Sequence, residues 1–247
     1  MNNIIIEACV DSVDSALNAQ DGGANRVELC DNILEGGTTP GYGSIVLARK
    51  KLNIDLFIMI RPRGGDFLYS DTEFEIMMKE VETAKDLGAD GVVLGILKAD
   101  GTVDHERCEI LKRLAFPMKT TFHRAFDLAA DPLIAMETII DIGIDRILTS
   151  GQSTSVPEGI NLISSLINKA DKRIIIMPGG GVNEENIANI IDKTGAKELH
   201  VSLRSVVKSN MIFKTEGIFM GKGTENEYVR KVTSIDRIKK IRHIVDN

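Results

Sequence analysis

The chain has 247 residues, 43% of them hydrophobic, and 30 basic against 36 acidic side chains give it a net charge of -6. That length matches the roughly 250 residues of one (β/α)8 barrel, so a single domain over 1–247 is expected. The acidic balance excludes a nucleic-acid footprint, and no apolar run approaches the roughly 20 residues that span a bilayer. Three widely spaced cysteines make no disulfide framework. The opening MNNIIIEACVDSVD carries neither a basic leader nor an Ala-x-Ala cleavage site. It reads as a first strand, and a cytoplasmic location with reduced thiols is expected.

Eight short β-branched or apolar runs follow in chain order, at 4–8, 26–30, 56–60, 91–95, 120–124, 146–150, 173–177 and 198–202, alternating with amphipathic helical patterns. Such alternation marks βαβ units and a parallel sheet, and eight is the closing number of the barrel. A repeat in which a glycine precedes a strand occurs as GGANRVEL, LGADGVVL, IGIDRILT and TGAKELHV. It places Gly23, Gly88, Gly143 and Gly195 as left-handed caps in four even quarters, which a doubly wound open sheet does not predict. Helix starts are expected at Asp131 with Pro132, at Asn183 and at Ser234. The basic cluster RIKKIRH at 237–243 reads as a solvated helix face. The stretch 203–233 exceeds what a barrel loop needs, and MIFK and IFMG within it are expected to pair as a small flap, a lid or an oligomer contact.

In this fold, function sits at the carboxyl ends of the strands. Period-two alternation puts Glu7 with Cys9, Glu28 with Cys30, Met59 with Arg61 and His200 with Ser202 on shared faces. Buried charge must be paired, so Glu7, Glu28, Arg61, His123 and His200 are expected to form one network, either a catalytic ring or a plug in the barrel top. PGGGV at 178–182 and HVSLRS at 200–205 resemble the phosphate cradle of this architecture, with Gly179, Gly180, Gly181, Ser202 and Arg204 as its carriers. Lys119, Lys172 and Lys197 precede their strands, which disfavours Schiff-base chemistry, and the lack of His-x-His disfavours a two-metal hydrolytic centre. Acid/base work by Glu7, Glu28 or His123, with Arg61 holding an anionic group, suits an isomerase, epimerase or lyase acting on a phosphorylated or carboxylated metabolite. No organic cofactor is indicated.

Cys9 and Cys30 end adjacent strands, where two thiolates could hold a soft ion such as Cu(I), with Met59 as a third ligand. The competing expectation is that they are small buried hydrophobes; Cys108, on a helix after the fourth strand, is read as core or surface.

Through EACVDSVDSA, GGANRVELC, EGGTTPGYG, MIRPRGGDFLYSD, GADGVVLG, TFHRAFD, ILTSG, MPGGG and ELHVSLRS, nearly end to end, the chain resembles the CutC family of copper homeostasis proteins. The resemblance implies a cytoplasmic (β/α)8 barrel, a homo-oligomer, and Cu(I) bound at Cys9 and Cys30. Where that family commonly reads Thr-Pro-Ser, this chain has Thr39, Pro40 and Gly41.

Overall fold

The computed structural model describes residues 4–215, 217–218 and 227–246. Its strands and helices alternate as β1 (Ile5–Val10), α1 (Val13–Asp21), β2 (Arg26–Leu29), α2 (Tyr42–Lys51), β3 (Asp55–Met59), α3 (Asp71–Asp86), β4 (Gly91–Leu94) and α4 (His105–Ala115). They continue as β5 (Lys119–Phe122), α5 (Pro132–Ile142), β6 (Arg146–Thr149), α6 (Val156–Ala170), β7 (Ile175–Pro178), α7 (Ile187–Thr194) and β8 (Glu198–Val201). The eight parallel strands pair in the order β7-β6-β5-β4-β3-β2-β1-β8, and a single bridge between Gly179 and His200 joins the remaining seam. The result is a nearly closed (β/α)8 barrel.

Alternation along each strand splits its side chains between two environments. Ile6, Ala8, Val27, Leu29, Leu56, Ile58, Val92, Leu94, Leu199 and Val201 face outward into the apolar layer shared with the helices. Cys30, Phe57, Met59 and Val93 form a separate cluster inside the barrel. Gly91 makes room for Phe57, since a Cβ there would stand 2.5 Å from the ring.

Gly23, Gly88, Gly143 and Gly195 all adopt positive φ at the ends of α1, α3, α5 and α7, as the repeat predicts. Asp131 caps α5 by accepting from the Leu133 and Ile134 amides. The Asn183 side chain accepts from Glu185 in a preceding turn, and α7 begins only at Ile187. A last helix, α8 (Ile235–Asp246), starts after Ser234 and buries Ile238 and Ile241; its Arg237 is not simply solvated but pairs with Glu184 at 2.7 Å.

The flap differs from expectation. Its strands are β9 (Arg204–Lys208) and β10 (Val229–Thr233), paired antiparallel. Residues 211–214 lie outside both, and IFMG at 218–221 falls mostly outside the described residues.

Candidate functional site

The barrel interior is built from inward-facing polar side chains in tiers. At the floor, Arg26 and Arg146 flank the Phe57 ring, their guanidinium carbons 4.7 and 5.1 Å from its centroid. Arg26 donates to Glu7 and to Glu198, each at 2.5 Å, and Arg146 donates to Glu198 at 3.1 Å. Arg26, Arg146 and Glu198 escape a reading confined to strand ends. The same period-two alternation finds them, since Arg26 precedes Glu28 by two positions and Glu198 precedes His200 by two.

Above the floor, His200 Nδ1 lies 2.7 Å from Glu7 Oε1, and its Nε2 lies 3.8 Å from Glu28 Oε2. Burial alone would push the Glu7 carboxyl up, but the Arg26 charge and the His200 contact bring it down to about 2. Burial dominates at Glu28 and raises it. Burial likewise opposes charge on His200, yet the Glu28 and Glu7 carboxylates and a contact with Cys9 hold its imidazole well above the usual range. The pair therefore sets a protonated imidazole beside one firmly ionised carboxylate and one reluctant one.

At the next level, Cys9 Sγ and Cys30 Sγ are 3.9 Å apart. Their mutual hydrogen bond, then burial, raise the Cys9 thiol well above its ordinary value. Cys9, Glu28 and His200 each offer a ligand atom within 4.8 Å of the others. Met59 belongs to the same interior cluster as Cys30. Two metal–sulfur bonds of about 2.3 Å closing a 3.9 Å gap would meet at about 115°. That angle is trigonal rather than linear and calls for a third donor; Glu28 and His200 lie on the Cys9 side, in a group of three that does not include Cys30.

A cavity of about 380 Å³ opens over Cys9 and His200, lined also by Gly180, Gly181, Ser202, Arg124 and Arg237. Gly180 and Gly181 have φ of +114° and +76°, and among the described residues their amides donate to no carbonyl or side chain. Gly179 is not part of this lining; it packs against Leu148 and His200, where a Cβ would stand 2.4 and 2.8 Å away. Arg204 is not part of it either. Its Nη1 approaches Asp11 at 3.4 Å from the start of β9, so the arginines that line the cavity are Arg124 and Arg237.

The five-membered ring expected from the sequence is thus two clusters. Glu7, Glu28 and His200 meet one another, whereas Arg61 and His123 stand around Phe67, whose ring is 5.0 Å from the Arg61 guanidinium and 4.8 Å from the His123 ring. The reason is positional: Arg61 and His123 lie past the ends of β3 and β5, beyond the tier where the glutamates sit. Cys108 is on the buried face of α4 and is a free thiol.

Comparison with known proteins agrees with this architecture. The model of the CutC family matches residues 4–205. A copper homeostasis protein cutC homolog of Mus musculus is 47% identical over 244 residues, covering 98% of this chain and 90% of the relative. A family protein CutC of Chromobacterium violaceum is 50% identical over 242 residues, covering 98% of each. The crystal structure of the CutC protein of Streptococcus agalactiae superposes with a TM-score of 0.77 at 38% identity, over 81% of this chain and 98% of that one.

Proposed function

We propose a copper-handling role from one premise: this chain belongs to the CutC family. In this reading Cys9 and Cys30 hold Cu(I) as cargo, and His200 or Glu28 completes a three-coordinate site. The observation that carries it is the 3.9 Å separation of the two thiols inside the barrel, with His200 and Glu28 next to Cys9. Soft sulfur donors select Cu(I) over harder divalent ions. The work belongs to a reducing cytoplasm, which keeps both thiols available. Homo-oligomeric assembly is part of the proposal; no helix among the described residues is long and apolar enough to cross a membrane.

Titration of the reduced protein with Cu(I) against a competing chelator tests it. Loss of either thiol, in Cys9→Ser or Cys30→Ser, is expected to abolish competition, and His200→Ala to weaken it. Unchanged affinity in both cysteine variants would overturn the assignment.

A second reading rests on a separate observation, the unengaged amides of Gly180 and Gly181, two residues that line the cavity. Two adjacent backbone N–H groups near Arg124 and Arg237 suit a phosphate or carboxylate. A metabolite anchored there would place its reacting carbon near His200 as proton donor and Glu28 as acceptor, which is isomerase, epimerase or lyase chemistry without a metal. Phosphorylated metabolites that stabilise wild type but not Arg237→Ala in a thermal-shift screen would support it.

A further inference from the structure

We propose that Arg61, His123 and Tyr69 form a binding site for the carboxylate group of a small molecule, closed over by Phe67. This site goes beyond the copper reading and does not depend on it.

Arg61 is 5% exposed, and among the described residues no carboxylate lies in ion-pair range of it. Its Nη1 donates to the Glu35 and Gly37 carbonyls and its Nη2 to the Gly65 carbonyl, each at 2.8 Å. Three of its five N–H donors are thereby used. Nε has no hydrogen-bond partner among the described residues. Carbonyl dipoles orient the guanidinium, but they supply no opposing unit charge, and a buried cation normally has one.

His123 is 3% exposed. Its Nδ1 accepts the Ala125 amide at 3.2 Å, so in the neutral ring the proton resides on Nε2 and makes that atom a donor. The neutral state is the stable one, because burial and then the Arg61 charge push the imidazole down to about 3. Nε2 also has no partner among the described residues. The Tyr69 hydroxyl, 4% exposed, stands beside the Arg61 guanidinium, which can only donate to it, so its own hydrogen has no acceptor among the described residues.

Three buried groups with hydrogens to donate, on the loop after β3 and just past β5, thus stand beside one unpaired positive charge and lack an acceptor. A water molecule offers two lone pairs and no charge. A carboxylate offers two oxygens with about four acceptor sites and one negative charge, which matches both deficits together. Phe67, half-buried, lies over Arg61 and His123. The chain around it is exposed at Gly65, Asp66 and Leu68, so Phe67 is the cover between this site and solvent. Gly36 and Gly37 separate this site from Cys30: Gly37 gives its carbonyl to Arg61, and its Cβ position lies 3.3 Å from Cys30 Sγ.

Acetate is the probe, with sodium chloride at matched ionic strength as control. It is expected to raise the melting temperature of the full chain and to shift the Nε2 resonance of His123 in ¹⁵N-histidine-labelled protein. Tyr69→Phe removes one donor without changing volume and is expected to weaken acetate about tenfold, the loss of one hydrogen bond to a charged group. Equal acetate affinity in wild type and Tyr69→Phe, or a His123 resonance that answers chloride as it answers acetate, would overturn the proposal. A response to inorganic phosphate but not to acetate would overturn the carboxylate assignment. Acetate titration of Cys9→Ser, expected to match wild type, and Cu(I) titration of Tyr69→Phe, expected to do the same, keep failure of this site distinct from failure of the copper site.

Discussion

The buried imidazole of His123 makes stability depend on pH in a direction that can be worked out. In the folded chain, burial and the Arg61 charge hold it down to about 3, whereas in the unfolded chain it titrates near 6.5. Between these values the unfolded state binds about one more proton at this residue, so folding stability rises with pH and is lost as pH falls through 6.5 toward 3. Moving from pH 6.5 to pH 4.5 should therefore cost about 2 kcal/mol through His123 alone. Other groups titrate over the same range, so the measurement is a difference of differences. His123→Asn keeps an acceptor in the Nδ1 position for the Ala125 amide and removes the titration. Urea unfolding of both proteins at both pH values, followed by far-UV circular dichroism because the chain has no tryptophan, isolates the contribution. The variant should lose about 2 kcal/mol less than wild type on acidification. Equal losses would mean that His123 titrates normally in the folded protein, and the reasoning from its burial would fail.

Two further outcomes follow from the barrel floor. Arg26→Met keeps most of the volume but leaves Glu7 and Glu198 short of their shared cation; equilibrium unfolding at neutral pH should show a loss of about 3–5 kcal/mol. Gly91→Ala drives a methyl to 2.5 Å from a Phe57 ring that two guanidinium groups hold in place. Its denaturation midpoint should fall by the equivalent of about 1–3 kcal/mol, with Cu(I) affinity unchanged.

The barrel was legible in the sequence because its signals are local and repeated. Strand runs bury one face against helices, and the chain must turn left-handed at Gly23, Gly88, Gly143 and Gly195 to start the next strand. The hairpin was not legible for the opposite reason. RSVVK and VRKVT lie largely exposed as a two-stranded ribbon, so no buried face imposes a periodic pattern, while the more apolar MIFK attracts the eye without forming a strand. Within the site, the residue types at the strand ends pointed to Glu7, Glu28, His200, Cys9 and Cys30. Their grouping was not legible, because the tier a side chain occupies depends on the stagger of neighbouring strands: Cys9 stands opposite Glu28 in the β1–β2 register. Arg61 and His123 look equivalent to the glutamates in sequence, yet they sit a level apart.

That vertical order bears on whether the polar interior is a plug or a site. Buried polar groups in folded proteins are nearly always hydrogen-bonded, and the floor of this barrel obeys the rule, since Arg26, Arg146, Glu7 and Glu198 all find partners. Of the five buried side-chain atoms without one among the described residues, four belong to Glu28, Arg61, Tyr69 and His123, all at the carboxyl-end side of the barrel. A plug selected for stability gains nothing from that distribution, because each unmet group costs about 1–3 kcal/mol. Residues kept for binding carry the cost until a ligand meets them. The two roles separate by substitution: loss of Arg26 should destabilise the free protein severely, whereas Tyr69→Phe should leave its stability level or raise it while weakening acetate. If Tyr69→Phe instead destabilises as a floor substitution does, the hydroxyl is a structural member of the plug.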